Sequence, residues 1–159
     1  MTETIIRHAL IGVLAGLGAT IPMTVGMEAM FRFLPKRERY PLPPRQIAMA
    51  IAEAAGVKQQ LNAPVRTTVT LAAHFGYGAA TGAIYAPMAI ENRCPPVVTG
   101  SGFGLAVWAA SYLGLLPAVR LLSPATEHPA RRNALMITAH AVWGIALGVL
   151  VDRLSNNAD

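Results

Sequence analysis

His74-Phe75-Gly76-Tyr77-Gly78-Ala79-Ala80-Thr81-Gly82 has a second copy in the chain, His140-Ala141-Val142-Trp143-Gly144-Ile145-Ala146-Leu147-Gly148. Each copy reads histidine, an aromatic residue three places on, then two glycines four apart. An arginine, Arg66 or Arg132, stands eight positions before each histidine. Both phrases lie in apolar sequence that is rich in Gly and Ala and has no period-two alternation, which leaves helices as the only reasonable reading. A titratable ring placed twice at one depth in such sequence is costly and needs either a partner or a task.

Working outward from these two phrases, four runs are long enough to cross a bilayer, which takes about 20 apolar residues. They are Ile5–Leu34 (kinkable at Pro22), Thr67–Ile90, Val98–Ser123 and Asn133–Leu154. The composition agrees with this: 53% of the 159 residues are hydrophobic and 13% charged, against roughly 25% charged in soluble domains. The net charge is +5, but the basic residues sit at the ends of apolar runs and form no exposed stripe, which argues against nucleic acid as a partner. The single cysteine, Cys94, excludes an internal disulfide.

Lysine and arginine counts give an expected orientation. The Met1 end, the 91–97 turn and the tail carry three (Arg7, Arg93, Arg153); the 32–66 and 120–132 connections carry ten. The positive-inside rule then places both termini outside and the basic loops in the cytoplasm. A competing reading takes residues 1–20 as a cleaved signal peptide with Arg7 and His8 in its n-region. No small-x-small site ends a short apolar stretch there, and the run continues past Pro22 to Leu34, so four spans are preferred.

The 35–66 loop is the only substantial segment outside the spans. Pro43 and Pro44 predict a stiff extended entry, followed by a short helix over Gln46–Ala55 that Gly56 stops. Ile47, Ile51 and Ala54 share one helical face, which fits a helix lying on the cytoplasmic headgroups equally with an ordinary connecting helix packed on the loop. Glu91–Pro96 and Pro124–Arg131 are short connections that force neighbouring spans antiparallel. The expected fold is therefore all-α, an integral membrane four-helix up-down bundle in one domain over residues 1–159, with a short cytoplasmic interfacial helix. Two repeated helical hairpins are expected within it: the second and fourth spans share the histidine phrase, and Gly16, Gly26 and Arg32 of the first are echoed at Gly104, Gly114 and Arg120 of the third. If the second and fourth spans touch through Gly78-x-x-x-Gly82 and Gly144-x-x-x-Gly148, the two histidines face one another or a shared cleft.

Counting from the basic flanks puts Glu28, His74, Tyr112 and His140 at one depth, about 12 Å inside the cytoplasmic boundary. Thr20, Thr24 and Glu28 form a stripe on the first span, and Thr70, His74, Thr81 and Tyr85 share one side of the second. Three readings of this layer compete. It can be a hydrogen-bonded cluster that sets helix register, with Glu28 also tied to Arg32 one turn on. It can be a site in which His74, His140 and Glu28 ligate a divalent metal such as zinc, iron or manganese, or pass protons. It can hold a b-type haem between His74 and His140, with Arg66, Arg131 and Arg132 near the propionates. The first two leave a non-enzymatic membrane component; the haem would make it an electron-transfer subunit, and a structural or assembly role for a homo-oligomer or partner membrane subunit is the remaining option. No catalytic residue is assigned. Met23, Met27 and Met30 read as core filler, His8 and His128 as solvated boundary residues, and Cys94 has no neighbouring histidine to activate it.

Pro41-Leu42-Pro43-Pro44-Arg45, His74-x-x-Tyr77 running on to Tyr85, Trp108–Tyr112 and His140-Ala141-Val142-Trp143 together resemble the YagU-like family of bacterial inner-membrane proteins. The resemblance implies a multi-pass protein of the bacterial cytoplasmic membrane, in a family with no established biochemical activity, and it marks His74 and His140 as characteristic positions. At Tyr112 such relatives are expected to carry histidine, so a site that needs a third imidazole is in doubt. The connection between the third and fourth spans is also shorter here than the resemblance implies.

Overall fold

The computed structural model describes residues 2–90 and 92–157. Glu91, which opens the expected outer turn, lies outside the described residues. Four long helices are present: α1 (Thr2–Phe31), α3 (Ala63–Ile90), α4 (Pro96–Ala118) and α5 (Ala130–Asn156), with the short α2 (Pro43–Ala54) between the first two. Among the described residues there is no strand. The four long helices form the all-α up-down membrane bundle.

Their surface is inverted relative to a water-soluble protein. Leu10, Leu14, Leu17, Ile21 and Val25 are exposed along α1, as are Val98, Leu105 and Leu113 on α4, whereas Ala15, Ala19, Ala86 and Ala139 are buried in the interior beside larger side chains such as Trp143 and Leu147. Large apolar side chains outside and small ones at helix contacts are what a lipid solvent selects. Among the described residues, three helices, α1, α4 and α5, are long and apolar enough to cross a membrane. α3, expected as another span, has the length, but Arg66, Thr67, Thr68, Thr70 and His74 dilute its first half.

The glycines settle which helices touch, and they correct the expectation drawn from them. Gly78 and Gly82 of α3 do not meet α5. They meet Gly16 and Gly12 of α1, so closely that a Cβ on any of the four would strike the opposing chain. Gly144 and Gly148 of α5 meet Gly104 and Gly100 of α4 in the same way. The spacing from Gly12 and Gly16 to Gly100 and Gly104 is that of the fainter sequence echo, so the two hairpins repeat one crossing. Gly26 and Gly114, also part of that echo, face open space. All four Gly-xxx-Gly motifs are used inside the bundle.

The two hairpins join unevenly. α1 packs along α5, but α3 and α4, the other inter-hairpin pair, hardly meet. Two side-chain hydrogen bonds bridge them: Tyr77 Oη to Ser111 Oγ (2.8 Å) and Tyr85 Oη to Thr99 Oγ1 (2.9 Å).

Helix ends follow local chemistry. Pro43 and Pro44 do not form an extended entry; they occupy the first turn of α2, where a missing N–H costs nothing and the fixed φ suits a helix. α2 closes with Val57 N–H on Ala52 O (2.9 Å) and Gly56 N–H on Glu53 O (2.9 Å), with Gly56 at φ +73°, the left-handed exit that glycine takes without strain. α4 ends in the same pattern, Leu121 N–H on Leu116 O (3.0 Å) and Arg120 N–H on Pro117 O (3.0 Å), but there the left-handed residue is Arg120 at φ 57°.

Candidate functional site

Within α4, residues Ala110–Leu115 are wound as a π-helix, and Leu116 N–H bonds Ser111 O five residues back. Pro117 supplies the reason: it has no N–H for the carbonyl one turn before it and its ring crowds that turn, so the ladder widens. The wide turn carries the consecutive residues Ser111 and Tyr112, both buried, to the same cavity. That cavity, about 210 Å³, lies where α3 and α4 stand apart, and it is lined by Met23 of α1, His74 and Tyr77 of α3, Val107 to Leu116 of α4, and Met136, His140 and Trp143 of α5. Pro44, Ile47 and Ile51 of α2 close its basic end, while α2 itself packs on α3. Toward the other end, ring contacts Tyr85–Phe103 (5.0 Å) and Phe103–Trp143 (6.2 Å) form an aromatic floor.

The two histidines of the repeat therefore share a cavity without their helices touching through glycine. His140 is 5% exposed, and its Nδ1 donates to Met136 O at 2.8 Å. A carbonyl only accepts, so the tautomer is fixed with Nε2 carrying the lone pair. Its ring meets Tyr112 edge-on, 5.8 Å between centroids at 84°, and Tyr112 stacks on Trp108. His74 is half-buried; among the described residues its Nε2 has no hydrogen-bond partner, nor has Nε1 of Trp143 or of Trp108. Buried polar atoms in this state are uncommon and call for an explanation.

Glu28 does not line the cavity that the two histidines share. It is exposed and lines a separate groove of about 450 Å³ with Arg39, Arg45, Thr67 and Thr70; His74 borders both spaces. Among the described residues no three His, Cys, Asp or Glu side chains stand together as a metal site. Nor is there a Glu28–Arg32 ion pair among the described residues, because α1 ends at Phe31 and Arg32 has left the helical register.

The arginines of the repeat have a structural task. Arg132 is buried: Nη1 donates to Glu38 O (2.8 Å) and Tyr40 O (2.9 Å), and Nη2 to Pro41 O (3.0 Å). Arg66 donates Nε to Leu61 O (2.8 Å) and Nη2 to Lys58 O (3.1 Å). Each anchors a stretch of the α1–α3 connection, while Arg131, the third arginine expected near a propionate, is exposed. A cavity of 210 Å³ is also below the roughly 300–1,000 Å³ of pockets for drug-sized ligands, and the geometry does not favour a haem. His8 and His128, expected in solvent, are not there: His8 is buried in the bundle, and His128 Nδ1 lies 3.2 Å from the Tyr40 hydroxyl.

Sequence reasoning missed Ser111, Trp143 as an unpaired donor, and Ile47 and Ile51 as cavity wall. The one available signal was Pro117, six residues beyond Ser111 and five beyond Tyr112.

A family model described as "Protein of unknown function (DUF1440)" matches residues 21–149, and the chain belongs to that family. No curated protein and no solved structure matches it.

Proposed function

We propose that the protein is a four-span, non-enzymatic component of the bacterial cytoplasmic membrane, one transmembrane domain with both termini outside, whose internal cavity binds a small neutral ligand beside His74, Tyr112 and His140. The location and orientation rest on the basic-loop asymmetry and on the YagU-like resemblance. The observation that carries the binding reading is the pair of imidazoles lining one cavity: no protein hydrogen bond uses His74 Nε2, and His140 turns its Nδ1 away to Met136. Neutrality follows from Glu28. With that carboxylate in the other groove, a divalent ion held by two uncharged imidazoles would keep its charge in a low-dielectric site, at a cost of several kcal/mol.

Native mass spectrometry of the protein released into mild detergent tests this reading. The wild type is expected to carry a one-to-one small-molecule adduct that the His74→Ala/His140→Ala variant lacks. An identical adduct in both, or none in either, overturns it. A second reading, proton transfer from Glu28 to the His140 side of the bundle, draws on the position of His74 between the groove and the cavity. Proton flux in proteoliposomes that His74→Ala abolishes would favour it.

A further inference from the structure

We infer that the cavity takes the ring of a quinone-type lipid, a neutral six-membered ring with carbonyl oxygens, whose isoprenoid tail leaves between α3 and α4. The inference rests on the binding reading above and names the ligand's chemistry.

Size and polarity come first. An apolar protein cavity of about 150 Å³ admits benzene, and this one is about 210 Å³, room for a substituted ring. Its walls offer apolar side chains and the aromatic faces of Tyr77, Tyr112 and Trp143, on which a flat ring can stack. Tyr112, 6% exposed, brings a hydroxyl donor to the same wall, and among the described residues no protein hydrogen bond uses it. A carbonyl oxygen is a partner for that donor, which a purely apolar guest is not. A fatty acid would bring a carboxylate, and neither Arg66 nor Arg132 lines the cavity to neutralise it.

The route follows from the uneven joining of the hairpins. Tyr77 on α3 and Leu115 on α4 both line the cavity and are 46% and 56% exposed. Wall residues that also face outward mark a window, and this one opens sideways at the depth of the bundle. The equivalent face between α1 and α5 is packed shut. A tail can pass through such a window while the ring stays inside.

The test uses the full chain in phosphatidylethanolamine/phosphatidylglycerol nanodiscs. Trp108→Phe leaves Trp143 as the single tryptophan, since the chain has two. Three compounds are titrated: a benzoquinone with one isoprene unit, the same ring without a tail, and an isoprenoid alcohol without a ring. The tailed ring is expected to quench Trp143 saturably. The tail-less ring should bind at least about tenfold more weakly, and the alcohol should not compete. Tyr112→Phe should weaken the tailed ring by about tenfold, the net worth of one hydrogen bond, with helix content unchanged by circular dichroism. Equal affinity for both rings overturns the lateral tail and assigns a soluble aromatic carbonyl compound. Quenching that never saturates, or that Tyr112→Phe leaves untouched, overturns the ring itself. If the adduct test above still succeeds, only the ligand class has failed; if that fails too, the cavity reading falls with it.

Discussion

The guanidinium carbon of Arg132 lies 3.6 Å from the centroid of the Tyr40 ring, while the same side chain donates to three carbonyls, those of Glu38, of Tyr40 itself and of Pro41. Tyr40 in turn reaches His128. The basic end of α5 thus holds the strand of chain that leads into α2, and α2 closes the cavity. Cation–π contact and charge-assisted hydrogen bonds act on one group here.

Arg132→Ala is expected to cost about 3 kcal/mol or more, since it removes these contacts and leaves buried carbonyls unpaired. Arg132→Lys should recover little, because one ammonium cannot span three carbonyls and cover a ring. Limited proteolysis of the 35–62 segment reads this directly: both variants should be cut faster than the wild type, and a lysine variant as resistant as the wild type contradicts it.

Gly82→Val and Gly144→Val each force a side chain onto an opposing backbone. Overpacking of this kind costs about 1–3 kcal/mol, and more where backbone cannot yield. Gly102→Ala faces open space in the same helix layer and should raise stability slightly through helix propensity. Thermal unfolding in detergent should therefore separate the first two variants from the third, and equal midpoints would contradict the glycine crossings.

Arg120 holds a left-handed backbone at φ 57°, a conformation that costs an L-residue roughly 1–2 kcal/mol. Arg120→Gly relieves that strain and gives back part of it as unfolded-chain entropy. A gain of about 0.5 kcal/mol in a chemical-denaturation series is expected, and a loss would show that the Arg120 side chain does more than end α4.

Addition of Zn²⁺ or Mn²⁺ to the chelator-treated protein is expected to leave its unfolding temperature unchanged, because no carboxylate accompanies the two imidazoles. A metal-dependent rise that His74→Ala or His140→Ala removes would restore the metal reading.

His74→Ala and His140→Ala border one cavity and should not be independent. A coupling energy of about 0.5 kcal/mol or more is expected from the double-mutant cycle. Strict additivity would mean that the two rings do not act on a common space.

Local pattern carried much of this protein. The absence of alternation, the length of the apolar runs and the two histidine phrases are properties of consecutive residues, and they sufficed for helices, for the bundle and for a repeat whose imidazoles meet one space. Contacts between distant segments were not legible in the same way. A small-xxx-small motif states that a backbone will be approached closely, but not by which helix; only the assembled bundle pairs Gly82 with Gly12 and Gly148 with Gly100. Depth along a helix, which put Glu28 level with the histidines, says nothing of azimuth once helices cross, and Glu28 fell into the neighbouring groove. The π turn at Ser111 and Tyr112 changes the azimuth of two adjacent residues through a proline further along, an effect of helix winding that periodicity counted at 3.6 residues per turn does not register.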